Sequence, residues 1–122
     1  MTGHVTTALA AVTVACAVAN AGVAVADLVR APFVLANSAE VGVAQRWIPY
    51  LASLKMVGAV GLLLGFAVAP WLGLAAAAGL VAFFIGAVAV HVHTRVLHNI
   101  AFPGAYLVLA LGALGYFTIA VS

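Results

Sequence analysis

Charged side chains are nearly absent from this chain, and the few present lie close together. Only six of the 122 residues are Asp, Glu, Lys or Arg. All six fall at two neighbouring connections between apolar runs or in the helix turns beside them: Asp27, Arg30, Glu40, Arg46, Lys55 and Arg95. The chain is 68% hydrophobic and 5% charged, whereas about a quarter of a soluble domain is charged. This composition excludes a soluble fold and indicates an integral membrane protein.

Four apolar runs are each long enough to cross a bilayer, which takes about 20 residues of α-helix. We expect spans at about residues 5–26, 49–69, 71–93 and 103–121, with polar connections at about 27–48 and 94–102. The tight turn at Pro70 makes spans two and three an antiparallel pair. The sequence therefore predicts one all-α membrane domain over residues 1–122, a bundle of four transmembrane helices with both termini on the same side.

The basic residues predict how the bundle is oriented. Arg30 and Arg46 lie in the first connection and Arg95 in the third, while the other connection and the termini carry no Lys or Arg side chain. By the positive-inside rule, these two connections are cytoplasmic and both termini face outward. The first run lacks the basic start of a signal peptide and stays apolar as far as Ala26, so we interpret it as a retained span.

The first connection carries a helix-start pattern. Asn37 and Glu40 stand three residues apart, as a helix cap and the carboxylate that completes a capping box do. This spacing predicts a short interfacial helix from Ser38 to about Arg46.

Helical spacing places the polar residues of the spans on shared faces, because positions three, four and seven apart lie on one side of a helix. In span one such a face carries Thr13, Cys16, Asn20 and Asp27. In span two it carries Lys55, Gly58, Leu62 and Gly65. We expect both faces to point into the bundle, where small residues permit close helix contact. Cys16, the single cysteine, is interpreted as a packing residue.

Lys55 lies about two turns inside span two, where an unpaired charge is costly. On insertion scales the cost at the bilayer centre is roughly 2.5 to 3.5 kcal/mol, and it falls toward the membrane edge. One interpretation is that the long side chain reaches the headgroups and has no further role. The other pairs the ammonium with Asp27 or Glu40 and directs it at the oxygen of a ligand.

The histidines near the end of span three favour proton transfer over metal binding. His91 and His93 point to different helix faces, and His91 shares a face with His98 only if the helix continues past the membrane edge. A metal or haem site is therefore not expected. His91 is a candidate general acid or base. Tyr106 is either a proton donor on the same side or an aromatic residue of the membrane interface.

Several function classes lack their signature residues. The sequence holds no nucleophile elbow, no HExxH and no paired-cysteine motif, and its 12 glycines are spread through the spans instead of forming a phosphate-binding loop. A formal net charge of +2 is too small for a nucleic-acid footprint. Both acidic side chains lie on one predicted side, so no polar path crosses the bilayer within one chain.

Spans two and three resemble the DoxX-like family of small four-helix bacterial membrane proteins. The resemblance runs over about Val41 to Arg95, in the segments VGVAQRWIPYLASLKMVGAVGLLLG and AAAGLVAFFIGAVAVHVHTR. The lysine-then-glycine pattern of the family corresponds to Lys55 and Gly58, and its histidine at the end of span three corresponds to His91. The resemblance implies a helical bundle of the bacterial inner membrane. It implies no single function, because members are linked to thiosulfate and quinone redox chemistry and to oxidative-stress assemblies.

The leading hypothesis is a pocket near the cytoplasmic leaflet for an apolar molecule with one oxygen function, such as a quinone, isoprenoid or epoxide. Proton transfer would there support isomerisation or ring opening without a redox cofactor. The candidate catalytic residues are Asp27, Lys55 and His91, and the candidate ligand-binding residues are Asn20, Glu40 and Tyr106.

Two alternatives remain open from the sequence. One is a non-catalytic subunit that anchors a soluble protein partner through Glu40, Arg46 and Arg95 at the cytoplasmic face. The other is a quinone-linked oxidoreductase subunit with an electron-donating partner. In each case we expect a homo-oligomer that forms through the glycine faces, because so small a bundle buries little surface within one chain.

Overall fold

The computed structural model describes residues 3–122 and confirms an all-α protein. Five α-helices and no strand occur within that range. The four long helices are apolar enough to cross a membrane and are α1 (Gly3–Leu28), α3 (Ile48–Ala67), α4 (Pro70–His93) and α5 (Ala101–Val121). The short helix α2 (Pro32–Glu40) follows α1, and a turn of 3-10 helix (Gln45–Trp47) precedes α3.

Proline residues explain where three of these helices begin. A proline is tolerated in the first turn of a helix, where its missing N–H has no intrahelical partner to lose. Pro32 and Pro70 are the first residues of α2 and α4, and Pro49 is the second residue of α3. The four predicted spans match the four long helices to within about two residues at each end.

The predicted interfacial helix at residues 38–46 is wrong in position. Because Pro32 starts α2 and the helix ends at Glu40, Asn37 lies inside α2 instead of capping it. Its side chain makes no capping hydrogen bond and turns toward α4 and the last connection. Asn37 contacts His91 and Asn99, whereas Glu40 contacts His98, so the two side chains do not form a capping box.

The four long helices form a ring in which each packs against two others. Helix α1 contacts α3 and α5, and α4 contacts the same two helices from the opposite side. Since consecutive spans are antiparallel, the end of α1, the start of α3, the end of α4 and the start of α5 lie together. We call this the polar end; it comprises residues 27–48 and 91–100 and holds all six charged residues except Lys55, which lies about two turns farther in.

Small residues make the helix contacts close. At the contact between α3 and α4, a Cβ added at Gly61 would meet Ala76, and one added at Gly65 would meet the backbone of Gly73. Such contacts drive helix association in lipid, where dispersion and close backbone approach replace the hydrophobic effect. The glycine face of span two thus serves packing within the chain, and homo-oligomerisation stays a prediction that this face does not support.

Three chain reversals at the polar end use the same left-handed cap. Backbone bonds run from Ala31 to Ala26, from Val43 to Ser38 and from Val96 to His91. Each is the six-to-one bond of a Schellman motif, whose next-to-last residue takes a positive φ. That residue is Gly42 in the second motif but an arginine in the others, with φ of 55° at Arg30 and 59° at Arg95.

We expect Arg95→Gly to raise the free energy of unfolding by up to about 1 kcal/mol, because a left-handed conformation costs a residue with a Cβ roughly 1–2 kcal/mol. Thermal unfolding in detergent micelles, followed by circular dichroism, measures the change. The reciprocal control is Gly42→Arg, which should lower the stability by a similar amount. A stability loss in Arg95→Gly would mean that the guanidinium group contributes more than the backbone strain costs.

Candidate functional site

A buried ion pair joins α1 to α3 at the polar end. Asp27 lies in the last turn of α1 and Lys55 two turns into α3, and the Lys55 ammonium contacts Oδ2 of Asp27. The two side chains are only 7% and 11% exposed, respectively. Of the two partners that the sequence left open for Lys55, the structure selects Asp27.

The third helix to reach this ion pair is α4. The Lys55 Nζ atom lies 5.6 Å from the centroid of the Phe83 ring, within the range of a cation–π interaction. The Lys55 ammonium therefore lies between a carboxylate and an aromatic face, and little of the side chain is exposed. A buried pair of this kind is costly to form, since desolvation offsets most of the Coulomb attraction, but it is more costly to break.

His91 lies in the last turn of α4 and is 4% exposed. Its Nδ1 atom is 2.8 Å from the carbonyl oxygen of Ala87, one turn earlier in the same helix. A carbonyl oxygen can only accept, so Nδ1 carries a proton and donates it. The remaining ring nitrogen, Nε2, lies 3.3 Å from Oδ1 of Asn37 on α2.

Two asparagines extend this contact across the polar end. The Asn99 side chain, in the connection between α4 and α5, donates from Nδ2 to Oδ1 of Asn37 at 2.7 Å. The opposite end of that amide, Oδ1 of Asn99, is buried and has no hydrogen-bond partner among residues 3–122. His91, Asn37 and Asn99 therefore form a connected polar group drawn from three segments of the chain.

The ion pair and this polar group line the same cavity, which has a volume of about 650 Å³. Each of the five helices contributes to its wall. Most lining side chains are apolar and include the aromatic residues Phe33, Phe83, Phe84 and Phe102. The polar side chains in the wall are Asp27, Asn37, Ser38, Lys55, His91 and Asn99. Apolar walls with a few convergent polar groups are typical of small-molecule sites of this size.

A second cavity of about 540 Å³ lies between α3 and α4 and differs in chemistry. Its lining runs from Leu54 to Phe83 through glycine, alanine and leucine residues and includes no charged or hydrogen-bonding side chain. Groups that could orient an oxygen function or move a proton therefore occur in the first cavity and not in this one.

The three candidate catalytic residues thus meet around one cavity, whereas the three candidate ligand-binding residues do not line it. Asn20 is fully buried, donates to the Cys16 carbonyl oxygen at 2.9 Å and leaves its own Oδ1 unpaired among residues 3–122. Tyr106 donates its hydroxyl to the Ala19 carbonyl oxygen at 3.1 Å, linking α5 to α1. Glu40 is exposed at the polar end and accepts from Nε2 of His98 at 2.6 Å.

Each of these three side chains lies near the cavity, but none of them forms part of its wall. Asn20 lies two turns deeper in α1 than Asp27, among the packed helices. The Tyr106 ring packs against Phe84 and Phe102, with centroids 5.2 and 5.0 Å away, and its hydroxyl is used on α1. Within residues 3–122, no group of three His, Cys, Asp or Glu side chains is placed to hold a metal ion.

Asn37 and Asn99 are the site residues that the sequence interpretation missed. Asn37 was assigned to a helix cap, and Asn99 was only part of a polar stretch. One signal was available, since an uncharged amide within a connection of so apolar a chain needs a hydrogen-bond partner. The sequence could not name that partner, because His91 is 54 residues from Asn37 along the chain.

Four antiparallel spans packed in a ring, with a cavity at the polar end, define the chain as a small helical membrane protein with an internal candidate site. A family model, that of the DoxX-like family, matches residues 11–113 of the chain, and the protein belongs to this family. The match confirms the resemblance seen in spans two and three and extends it over most of spans one and four. It includes Asp27, Lys55 and His91. Neither a curated protein nor a solved structure matches the chain.

Proposed function

We propose that this DoxX-like protein binds a small, largely apolar molecule carrying one oxygen function in the cavity at the polar end. The observation that carries the proposal is the convergence of Asp27, Lys55 and His91, from three different helices, on one mostly apolar cavity. A volume of about 650 Å³ suits a quinone headgroup, a short isoprenoid or a terpenoid epoxide. Such molecules reach the site by partitioning into the bilayer.

The same residues support acid–base chemistry on the bound oxygen. Lys55 supplies a positive charge held in place by Asp27 and Phe83, and such a charge stabilises negative charge that develops on oxygen. Asp27 or His91 moves the proton. Isomerisation and epoxide ring opening need these groups and no redox cofactor. A bound quinone would instead indicate an oxidoreductase subunit.

We further propose that the polar end faces the cytoplasm in a bacterial inner membrane. Arg30, Arg46 and Arg95 all lie at that end and are exposed. The short helix α2 and the exposed Glu40–His98 pair would then lie at the cytoplasmic interface. A soluble partner, if there is one, would meet these groups first.

Native mass spectrometry of gently extracted protein, with organic extraction of what it carries, tests the proposal. We expect one lipophilic molecule per chain in the wild-type protein and at least a tenfold lower occupancy in the double variant Asp27→Asn/Lys55→Met. The double variant removes both charges together, so no buried charge is left unpaired. The matched control is Glu40→Gln, which removes a carboxylate at the polar end outside the cavity and should retain the ligand.

An empty wild-type protein that carries a soluble protein partner would contradict the proposal and favour the anchoring role. In that case Glu40→Gln, not the cavity variant, should release the partner, because Glu40 is exposed. A ligand retained by Asp27→Asn/Lys55→Met would show that the charges do not form its site.

A further inference from the structure

We infer that the side-chain amides of Asn37 and Asn99 turn together when His91 gains or loses a proton. The turn decides whether Asn37 offers the cavity a hydrogen-bond donor or an acceptor. The inference rests on the proposed ligand-binding role of this cavity. It makes Asn37 a specificity-determining residue and Asn99 a positioning residue.

The first step concerns His91. Its Nδ1–H is committed to the carbonyl oxygen of Ala87 at 2.8 Å. Consequently Nε2 carries a proton only when the ring is an imidazolium, and in the neutral ring Nε2 is an acceptor. Gain or loss of the ring proton therefore takes place at the nitrogen that faces Asn37.

In the protonated state the observed contacts are complementary. The Nε2–H group faces Oδ1 of Asn37 at 3.3 Å, and Nδ2 of Asn99 donates to the same oxygen at 2.7 Å. The NH₂ group of Asn37 makes no other hydrogen bond among residues 3–122 and is free to donate. This arrangement leaves one buried oxygen without a hydrogen bond, since Oδ1 of Asn99 has no partner within the described residues.

In the neutral state the same geometry would set two acceptors, Nε2 and Oδ1 of Asn37, against each other. Turning the Asn37 amide by half a rotation removes the conflict, because its NH₂ group then donates to Nε2; the terminal torsion of asparagine has two such wells. That NH₂ group would meet the NH₂ group of Asn99 unless Asn99 turned as well. The two amides therefore turn together. The Asn99 oxygen then accepts from Asn37, and the Asn99 NH₂ group takes the buried position that lacks a partner.

The turn changes what a ligand meets. Asn37 is half-buried and lines the cavity. With His91 protonated its free end is an NH₂ donor, which suits an acceptor-only oxygen such as that of a ketone, a quinone or an epoxide. With His91 neutral its free end is a carbonyl acceptor, which suits a hydroxyl group. Isomerisation of an epoxide to an allylic alcohol matches the two states without a reductant, because the C–O bond opens, the oxygen gains a proton and a neighbouring carbon loses one.

His93 and Arg95 follow His91 along the chain but do not line the cavity. Among cavity-lining residues, α1 contributes Asp27 and α3 contributes Lys55, which are paired with each other. The lining residues of α2, α5 and the connection before α5 include no titratable group. The Glu40–His98 pair lies at the polar end but is exposed, so His98→Gln, which removes the other imidazole, separates its titration from that of His91.

Nuclear magnetic resonance in lipid nanodiscs tests the coupling without a ligand. The ring nitrogens of His91, assigned by their loss in His91→Gln, report its titration. We expect the side-chain amide signals of Asn37 and Asn99 to shift with that same midpoint. The Asn20 amide, which is bonded to Cys16 deeper in α1, is the internal control and should not shift. In Asn37→Ala, His91 should still titrate while the Asn99 amide stops responding. Amides that ignore the His91 titration would overturn the inference.

Matched probes test the consequence for binding. We expect the affinity ratio of methyl decyl ketone to the secondary alcohol made by its reduction to be roughly 2- to 10-fold higher below the His91 midpoint than above it, the worth of one hydrogen bond. Asn37→Ala should abolish this dependence. A ratio independent of pH would overturn the specificity role. If the amide signals shift with the His91 titration but neither probe binds, the coupling stands and the proposed function fails for these probes. If the probes bind but the amides do not respond, the coupling fails and the proposed function stands.

Discussion

Lys55→Met should lower the free energy of unfolding by about 3–5 kcal/mol, the largest effect that we expect from a single substitution in this protein. The substitution conserves the volume of the stem but leaves Asp27 as an unpaired carboxylate, 7% exposed, between α1 and α3. An isolated buried charge pays its desolvation cost with no Coulomb attraction in return. Unfolding by mixed-micelle titration, followed by circular dichroism, measures the loss.

The double variant Asp27→Asn/Lys55→Met should recover most of that loss, because replacing both members of a buried pair is often neutral. Glu40→Gln is the matched surface control. Its partner His98 has a side chain that is 64% exposed, so the change should stay within about 0.5 kcal/mol. If Lys55→Met unfolds like the wild type, the lysine side chain reaches the headgroups in the membrane and the ion pair contributes nothing.

The ion pair between Asp27 and Lys55 can be predicted only in part from the sequence. Hydropathy predicts four helices, and helical periodicity predicts which side of each helix is buried; Asp27 and Lys55 both lie on such faces. Neither property gives the order of helices around the bundle. That order places α1 beside α3, which brings Asp27 to Lys55, whereas Glu40 on α2 lies beside His98 instead.

How far the cavity extends along α1 also could not be predicted from the sequence. Asn20 and Asp27 share a face of α1, so periodicity alone assigns both to one site. They are separated by two helical turns, about 10 Å along the axis. Asn20 is fully buried and bonded to Cys16, which belongs to the packed core, and does not line the cavity. The capping-box spacing of Asn37 and Glu40 is likewise not decisive, because Pro32 starts α2 five residues before Asn37.

Gly65→Ala should lower the free energy of unfolding by about 1–3 kcal/mol, although alanine is the better helix former. An added Cβ would lie 2.5 Å from the Cα atom of Gly73 on α4 and 2.6 Å from the ring of Phe117 on α5. The ring can rotate, but the Gly73 backbone cannot move without separating α3 from α4. Thermal unfolding in detergent micelles, with circular dichroism as the readout, measures the loss.

Gly79→Ala provides the matched control, since it makes the same substitution in α4, where a Cβ meets nothing within 4 Å. Its stability should stay equal to that of the wild type or rise by up to about 1 kcal/mol. Because Gly65 lies at the end of the bundle opposite the cavity, we expect folded Gly65→Ala protein to retain the proposed ligand, unlike Asp27→Asn/Lys55→Met. Equal stability of Gly65→Ala and Gly79→Ala would contradict the close contact between α3 and α4. Loss of ligand from folded Gly65→Ala would mean that helix packing at the far end also controls the shape of the cavity.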